Sequence, residues 1–274
     1  MVKVAVSCNR PSFFYKYKRI IRVTGVELLI DFHLDAERQG PGSDEDTLRA
    51  LSFIDIYPEE FIKVADIGCG TGSQTLTLAQ NINGSITAVD LFPDFLIKLN
   101  ERAKNLKLEN KISTLQKSME ELSFGNEEYD ILWSEGAIYN IGFESGLKNW
   151  KPFLKIGGYI AVSEITWKTN FRPKEIEDYW NSEYPEIDTA SKKIKILEEN
   201  GFSPVGFFFL PEKSWIDNYY SPIERRFDSF LLKYNNSENA KAIVEGEKQE
   251  IALYKKYKDY LSYGFYIAKK LLSW

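Results

Sequence analysis

The chain has 274 residues, 43% of them hydrophobic, and a formal net charge of −5. That length suits one domain with insertions, and the acidic balance argues against a protein that grips a nucleic-acid backbone. Two cysteines exclude a disulfide framework, and no apolar run approaches the ~18 residues of a membrane span.

Residues 1–25 read as an N-terminal arm that either docks or stays poorly ordered. Its Lys16, Lys18, Arg19 and Arg22 read as a solvated helix face rather than a nucleic-acid patch. With no apolar signal core at the start, a cytoplasmic protein is expected. Residues 26–274 read as a single domain. It opens with an amphipathic helix over 26–38, with Leu29, Phe32 and His33 on neighbouring turns. His33 is the sole histidine, and packing explains it better than catalysis. The run Gln39-Gly40-Pro41-Gly42-Ser43 breaks that helix, and a second follows over Asp44 to Ile56 with Leu48, Leu51 and Phe53 facing inward.

Phe61 to Ala65 is a short apolar strand, followed by Asp66-Ile67-Gly68-Cys69-Gly70-Thr71-Gly72 and then a helix. A strand, a tight glycine turn and a helix form the first step of an open α/β sheet. The turn aims helix N–H groups at the crevice beyond the strand, and glycine lets a ligand approach the backbone. The spacing is G-x-G-x-G, not the G-x-G-x-x-G of dinucleotide loops. The next strand, Ser85 to Asp90, ends in a carboxylate 18 residues after Gly72, placed to grip a ribose diol.

This combination resembles the class I S-adenosylmethionine-dependent methyltransferases, within them a subgroup of small bacterial and archaeal enzymes mostly without assigned substrates. The resemblance covers residues 61–165. It implies a Rossmann-like α/β fold: a seven-stranded doubly wound sheet, with helical cap insertions. Further strands fall at 111–116, 129–135 and 157–164, the last after a helix exit over Lys151 to Gly158. It also implies S-adenosylmethionine as cofactor, held by Asp66, Gly68, Cys69, Gly70, Gly72, Gln74, Asp90, Leu91, Ser134, Glu135 and Gly136. Ser118 and Met119 occupy the adenine positions, Ser118 departing from the usual Asp. Gly42 and Ser43 match a loop that closes over the methionine end. The alternative for Ser43 is an ordinary helix N-cap.

Beyond the fifth strand, Trp167 to Tyr184 is rich in aromatics and charge, Ser191 to Glu199 is a helix, and Val205 to Leu210 and Tyr263 to Ala268 are strands. A helical insertion over about 212–260 separates those last two strands and reads as a cap.

Methyl transfer needs a positioned nucleophile and sometimes a base. Neither cysteine lies in a cytosine-C5 methylation motif, and Ser134-Glu135-Gly136-Ala137 stands where amino-methylating DNA enzymes carry a Pro-Pro-aromatic motif. Glu135 and Glu144, nine positions apart, resemble the double-glutamate loop of protein arginine methyltransferases, whose other signatures are missing. If both face the cleft, the acceptor is an amine, with Glu135 as base, Tyr139 beside it, and Glu144, Phe143 and Trp167 binding the substrate. The competing reading makes Glu144 a helix-end charge, turns Glu135 to the cofactor or backbone, and leaves the aromatics in the core.

The expectation is therefore a methyltransferase acting on a small molecule, without nucleic acid, membrane or metal, and compatible with a homodimer. The alternatives are an RNA-modifying enzyme and a non-catalytic S-adenosylmethionine-binding protein.

Overall fold

A computed structural model describes residues 24–272. Most of the expected N-terminal arm, residues 1–23 with their basic cluster, lies outside the described residues.

In chain order the elements begin with α1 (Thr24–Leu34), α2 (Asp44–Leu51), β1 (Ile62–Ile67), α3 (Ser73–Asn81), β2 (Gly84–Asp90), α4 (Pro93–Asn105) and β3 (Ile112–Gln116). They continue with β4 (Tyr129–Glu135), α5 (Phe143–Trp150), β5 (Leu154–Trp167), α6 (Lys174–Glu183), β6 (Asp188–Thr189), α7 (Ala190–Glu199) and β7 (Phe202–Phe209). Four helices follow, α8 (Glu212–Trp215), α9 (Ser221–Glu224), α10 (Phe227–Lys233) and α11 (Glu238–Tyr257), before β8 (Leu261–Lys270) closes the sheet. A π turn, Ile216–Tyr220, joins α8 to α9.

The sheet runs β3-β2-β1-β4-β5-β8-β7. β1 to β5 are parallel, whereas β8 runs antiparallel between β5 and β7. The chain walks outward from β1 to β3, then returns to lay β4 on the other side of β1. Strand order reverses there, so the loops leaving β1 and β4 face each other across a crevice.

Helices cover both faces, which is why β1 and β4 are almost continuously buried. Alternation sorts their side chains: Ile131, Trp133, Ala161 and Phe265 join one buried cluster, while Leu132, Ile160, Val162 and Tyr266 join the other.

Three differences from the sequence reading have local causes. The sheet has eight strands rather than seven, because two-residue β6 pairs with the end of β5; so short a strand carries no period. α1 ends at Leu34, where the Ala36 N–H turns back onto the His33 carbonyl. α2 stops at Leu51, where Phe53 and Ile54 N–H groups bond three residues back in a tight final turn. Its inward face is Asp46, Thr47 and Ala50, and Leu48 is exposed. Polar partners waiting in the crevice override the apolar pattern.

Candidate active site at the switch point

β1 delivers the chain into a loop whose three glycines all have positive φ: Gly68 at 78°, Gly70 at 56° and Gly72 at 85°. A Cβ on Gly68 would lie 2.4 Å from that of Ala137, and one on Gly72 would lie 2.1 Å from Leu99. Conformation and space both require glycine there.

Under the loop, Asp66 is fully buried and accepts from Thr75 Oγ1 at 2.5 Å and Gln74 Nε2 at 3.4 Å. Burial pushes its carboxyl up to about 7, against the pull of those bonds. Gln74 also donates to the Cys69 carbonyl, and the Cys69 thiol is itself buried. The side chains of Asp66, Cys69 and Gln74 thus brace the loop from below. The expectation that they contact a ligand is corrected to this supporting role.

Asp90 closes β2 with both oxygens engaged: Oδ2 accepts the Gly70 N–H at 2.9 Å and Oδ1 accepts the Phe92 N–H at 3.0 Å. Burial raises its pKa, and these backbone donors oppose the rise. Leu91 beside it is half exposed. Met119 sits against the loop, its Cε 3.4 Å from where a Gly68 Cβ would stand. Ser118 Oγ accepts the Glu120 N–H at 3.3 Å, in a turn.

Across the crevice, Glu135 ends β4. Its Oε2 accepts from Arg38 Nη1 at 2.9 Å, and its Oε1 accepts from Thr47 Oγ1 at 2.7 Å and Trp133 Nε1 at 3.0 Å. Three donors occupy this carboxylate, so the expected general base is instead the anchor of residues 38–47. Ser43 N-caps α2, accepting the Asp46 N–H at 3.0 Å and donating to Asp46 Oδ2 at 2.9 Å. Its hydroxyl is committed to the cap. The Gly42 N–H faces the Ser214 carbonyl at 3.3 Å. Ser134 Oγ donates to the Ile67 carbonyl at 2.8 Å and is fully buried, which makes it a link between β4 and β1 rather than a ligand contact.

The proposed acceptor residues part company. Glu144 sits exposed in the first turn of α5 and pairs with Lys148 at 2.7 Å, away from Glu135. Phe143 is fully buried against Tyr266, and Trp167 is buried beneath the Arg172 guanidinium, 4.4 Å from its ring centre. These three substrate assignments are corrected: one is solvent-facing and two are core. Tyr139 and Gly136, by contrast, line a cavity.

That cavity holds about 970 Å³ of space, part of it open to solvent. Its floor is Gly136 and Ile165 at the ends of β4 and β5, and Gln39, Gly40 and Pro41 form the rim nearest the glycine loop. Tyr139, Tyr179, Trp180, Tyr184, Trp215 and Tyr219 supply aromatic wall. Among the described residues the lining includes the acidic Glu183 and Glu250 together with His33, and neither lysine nor arginine. Apart from Tyr139 and Gly136, the sequence reading assigned none of these to a site. The aromatic richness of 167–184 was the available signal. Among the described residues no group of three or more His, Cys, Asp or Glu is placed to hold a metal, and no helix is long and apolar enough to cross a membrane.

Gln39 ties this cavity to the loop. Its Oε1 accepts the Thr71 N–H at 2.8 Å, while its Nε2 donates to the His33 and Ala36 carbonyls, each at 3.2 Å.

The arrangement matches known proteins. A family model described as a methyltransferase domain matches residues 64–158, about a third of the chain. Phosphoethanolamine N-methyltransferase 3 of Arabidopsis thaliana is 21% identical over 165 residues, 60% of this chain and 33% of that one. The chain spans well under half of the curated relatives it matches, from 3% to 36% of their lengths. Among solved structures, an S-adenosylmethionine-dependent methyltransferase from Geobacter sulfurreducens, in complex with S-adenosyl-L-homocysteine, superposes with a TM-score of 0.77 at 16% identity, covering 88% of this chain and 97% of that one. The [4+2]-cyclase SpnF superposes at 0.73, also at 16% identity, covering 90% and 93%. One fold therefore serves more than one chemistry. On this evidence residues 64–158 are similar to a methyltransferase domain, and the chain has the fold of the class I S-adenosylmethionine-dependent methyltransferases.

Proposed function

We propose that this protein transfers a methyl group from S-adenosylmethionine to a small-molecule amine bound in the aromatic cavity. The residues present suit the cofactor. Glycines at 68, 70 and 72 keep the loop free of side chains, and Asp90 stands at the end of β2, where a carboxylate meets ribose hydroxyls. Met119 offers an apolar side chain to the adenine, with Ser118 beside it. Gly42 and Gly136 lie across the crevice, where the methionine end would run. When bound, this cofactor supplies an activated methyl on a sulfonium.

The protein then has to hold the acceptor and keep water out. The single observation that carries the amine reading is the cavity's charge. Its lining brings acidic Glu183 and Glu250 to an aromatic enclosure and, among the described residues, provides no lysine or arginine. Tyrosine and tryptophan faces attract cations, and carboxylates pair with them. A phosphate-bearing acceptor would meet like charge there. The chain's net charge of −5 likewise disfavours RNA as acceptor.

The test has two arms. Calorimetry should show S-adenosylmethionine binding, and mass spectrometry should find a methylated product from apolar-tailed primary or secondary amines. Binding without transfer to any amine, but with transfer to an acidic or phosphorylated acceptor, would overturn the amine reading.

A further inference from the structure

Behind the cavity wall lies a charge pair that stability does not explain. Glu164 on β5 and Lys193 on α7 are both fully buried, and they form an ion pair. Oε1 of Glu164 takes the lysine and also accepts the Tyr184 hydroxyl at 3.0 Å. Oε2 has no hydrogen-bond partner among the described residues. Taking two charges out of water costs more than their attraction returns unless the remaining lone pairs are satisfied. Apolar side chains of similar volume would serve stability as well or better.

What the pair holds is Tyr184. Burial pushes that hydroxyl's pKa well up, and the charge of Glu164 adds to the rise, so the group stays a donor. Lys193 Nζ lies 5.3 Å from the centre of the same ring. Tyr184 lines the cavity, and Glu164 and Lys193 stand behind it. On the cavity side Tyr184 meets Tyr139 edge to face, with 5.9 Å between ring centres. Tyr139 belongs to the turn that leaves β4, three residues beyond Gly136. The two rings close the corner of the cavity beside the end where the methyl would arrive.

We propose that Tyr184 is a specificity-determining residue for the acceptor, excluding molecules branched at the carbon that carries the reacting atom, and that Glu164 and Lys193 are its positioning residues. This rests on the methyltransferase reading above and adds the shape of the acceptor to it. A ring that could swing would let the corner widen around a branched carbon. A ring tied through its hydroxyl to a buried, paired carboxylate cannot.

Calorimetry with S-adenosylhomocysteine present tests the width without turnover. The probes are benzylamine and 2-phenylpropan-2-amine, which differ only by two methyl groups on the carbon beside nitrogen. The wild type should bind benzylamine at least about tenfold more tightly, the scale for one or two methylenes at a packed wall. Tyr184→Ala should bring the two within about threefold. Tyr184→Phe keeps the ring and loses the tether, and it should relax the preference in the same direction. Glu164→Met with Lys193→Met removes charge and acceptor together and should relax it too, with the melting temperature retained. Glu164→Gln with Lys193→Met also removes the charge but leaves an amide oxygen to accept the Tyr184 hydroxyl, so the preference should return.

Equal binding of the two probes by the wild type, or an unchanged preference in Tyr184→Ala, would overturn the proposal. An unchanged preference in Tyr184→Phe would overturn the positioning role of Glu164 and Lys193, whether or not the double variants fold. Benzyl alcohol and 2-phenylpropan-2-ol repeat the comparison without charge. A preference seen with the alcohols alone would support the proposal and overturn the amine reading, and a preference with neither pair would overturn the proposal.

Discussion

Arg38 and Glu135, 97 positions apart, meet at 2.9 Å with both side chains less than a tenth exposed. The contact pins residues 38–47, and with them the cavity rim, to the end of β4. Removing one partner of a buried ion pair strands the other's charge, which typically costs about 3–5 kcal/mol. Arg38→Ala should therefore lower stability by roughly that amount, discounted toward ~2 kcal/mol because Thr47 and Trp133 still donate to Glu135. Urea denaturation measures it. Full stability would show that the rim is held elsewhere.

Asp90 is the residue on which the cofactor assignment depends most. Asp90→Ala should weaken S-adenosylmethionine binding by roughly 2–4 kcal/mol, the worth of two charge-assisted bonds. Calorimetry reads this directly, and unchanged affinity would refute the assignment.

Asp66 gives a pH prediction. Its carboxyl titrates near 7 when folded and near 3.8 in the free side chain. The folded chain then holds a proton that the unfolded chain has released between those values. Stability should fall as pH rises from about 4 to about 7 and level off above. Asp66→Asn removes that slope, so the variant should gain on the wild type across the same window. Denaturation midpoints at pH 5 and pH 8 would show it; parallel pH profiles would contradict it.

Cavity charge predicts selectivity. Binding of 2-phenylethylamine, read by tryptophan fluorescence from Trp180 and Trp215 on the wall, should exceed that of phosphoethanolamine. Glu183→Gln should weaken amine binding by about 1 kcal/mol, the scale for a partly solvated charge contact. Equal binding of both compounds would mean that the acidic lining does not select.

The sheet was legible because its signals are local. Apolar runs at β1 and β4, the glycine spacing after β1 and the carboxylate ending β2 each lie within a few residues. The cavity was not, because His33, Glu183, Trp215 and Glu250 come from four helices far apart in sequence. The spacing of Glu135 and Glu144 misled for a similar reason: it cannot show that α5 turns Glu144 outward to Lys148. Nor can it show that Arg38, to which the sequence reading assigned no role, would occupy Glu135.

The most direct test of the account is one incubation of the purified chain with methyl-labelled S-adenosylmethionine and a set of apolar-tailed primary and secondary amines, followed by mass spectrometry. The account predicts labelled N-methylamine and S-adenosylhomocysteine in equal amounts, with both lost in Asp90→Ala at limiting cofactor. Bound cofactor with neither product formed would contradict it.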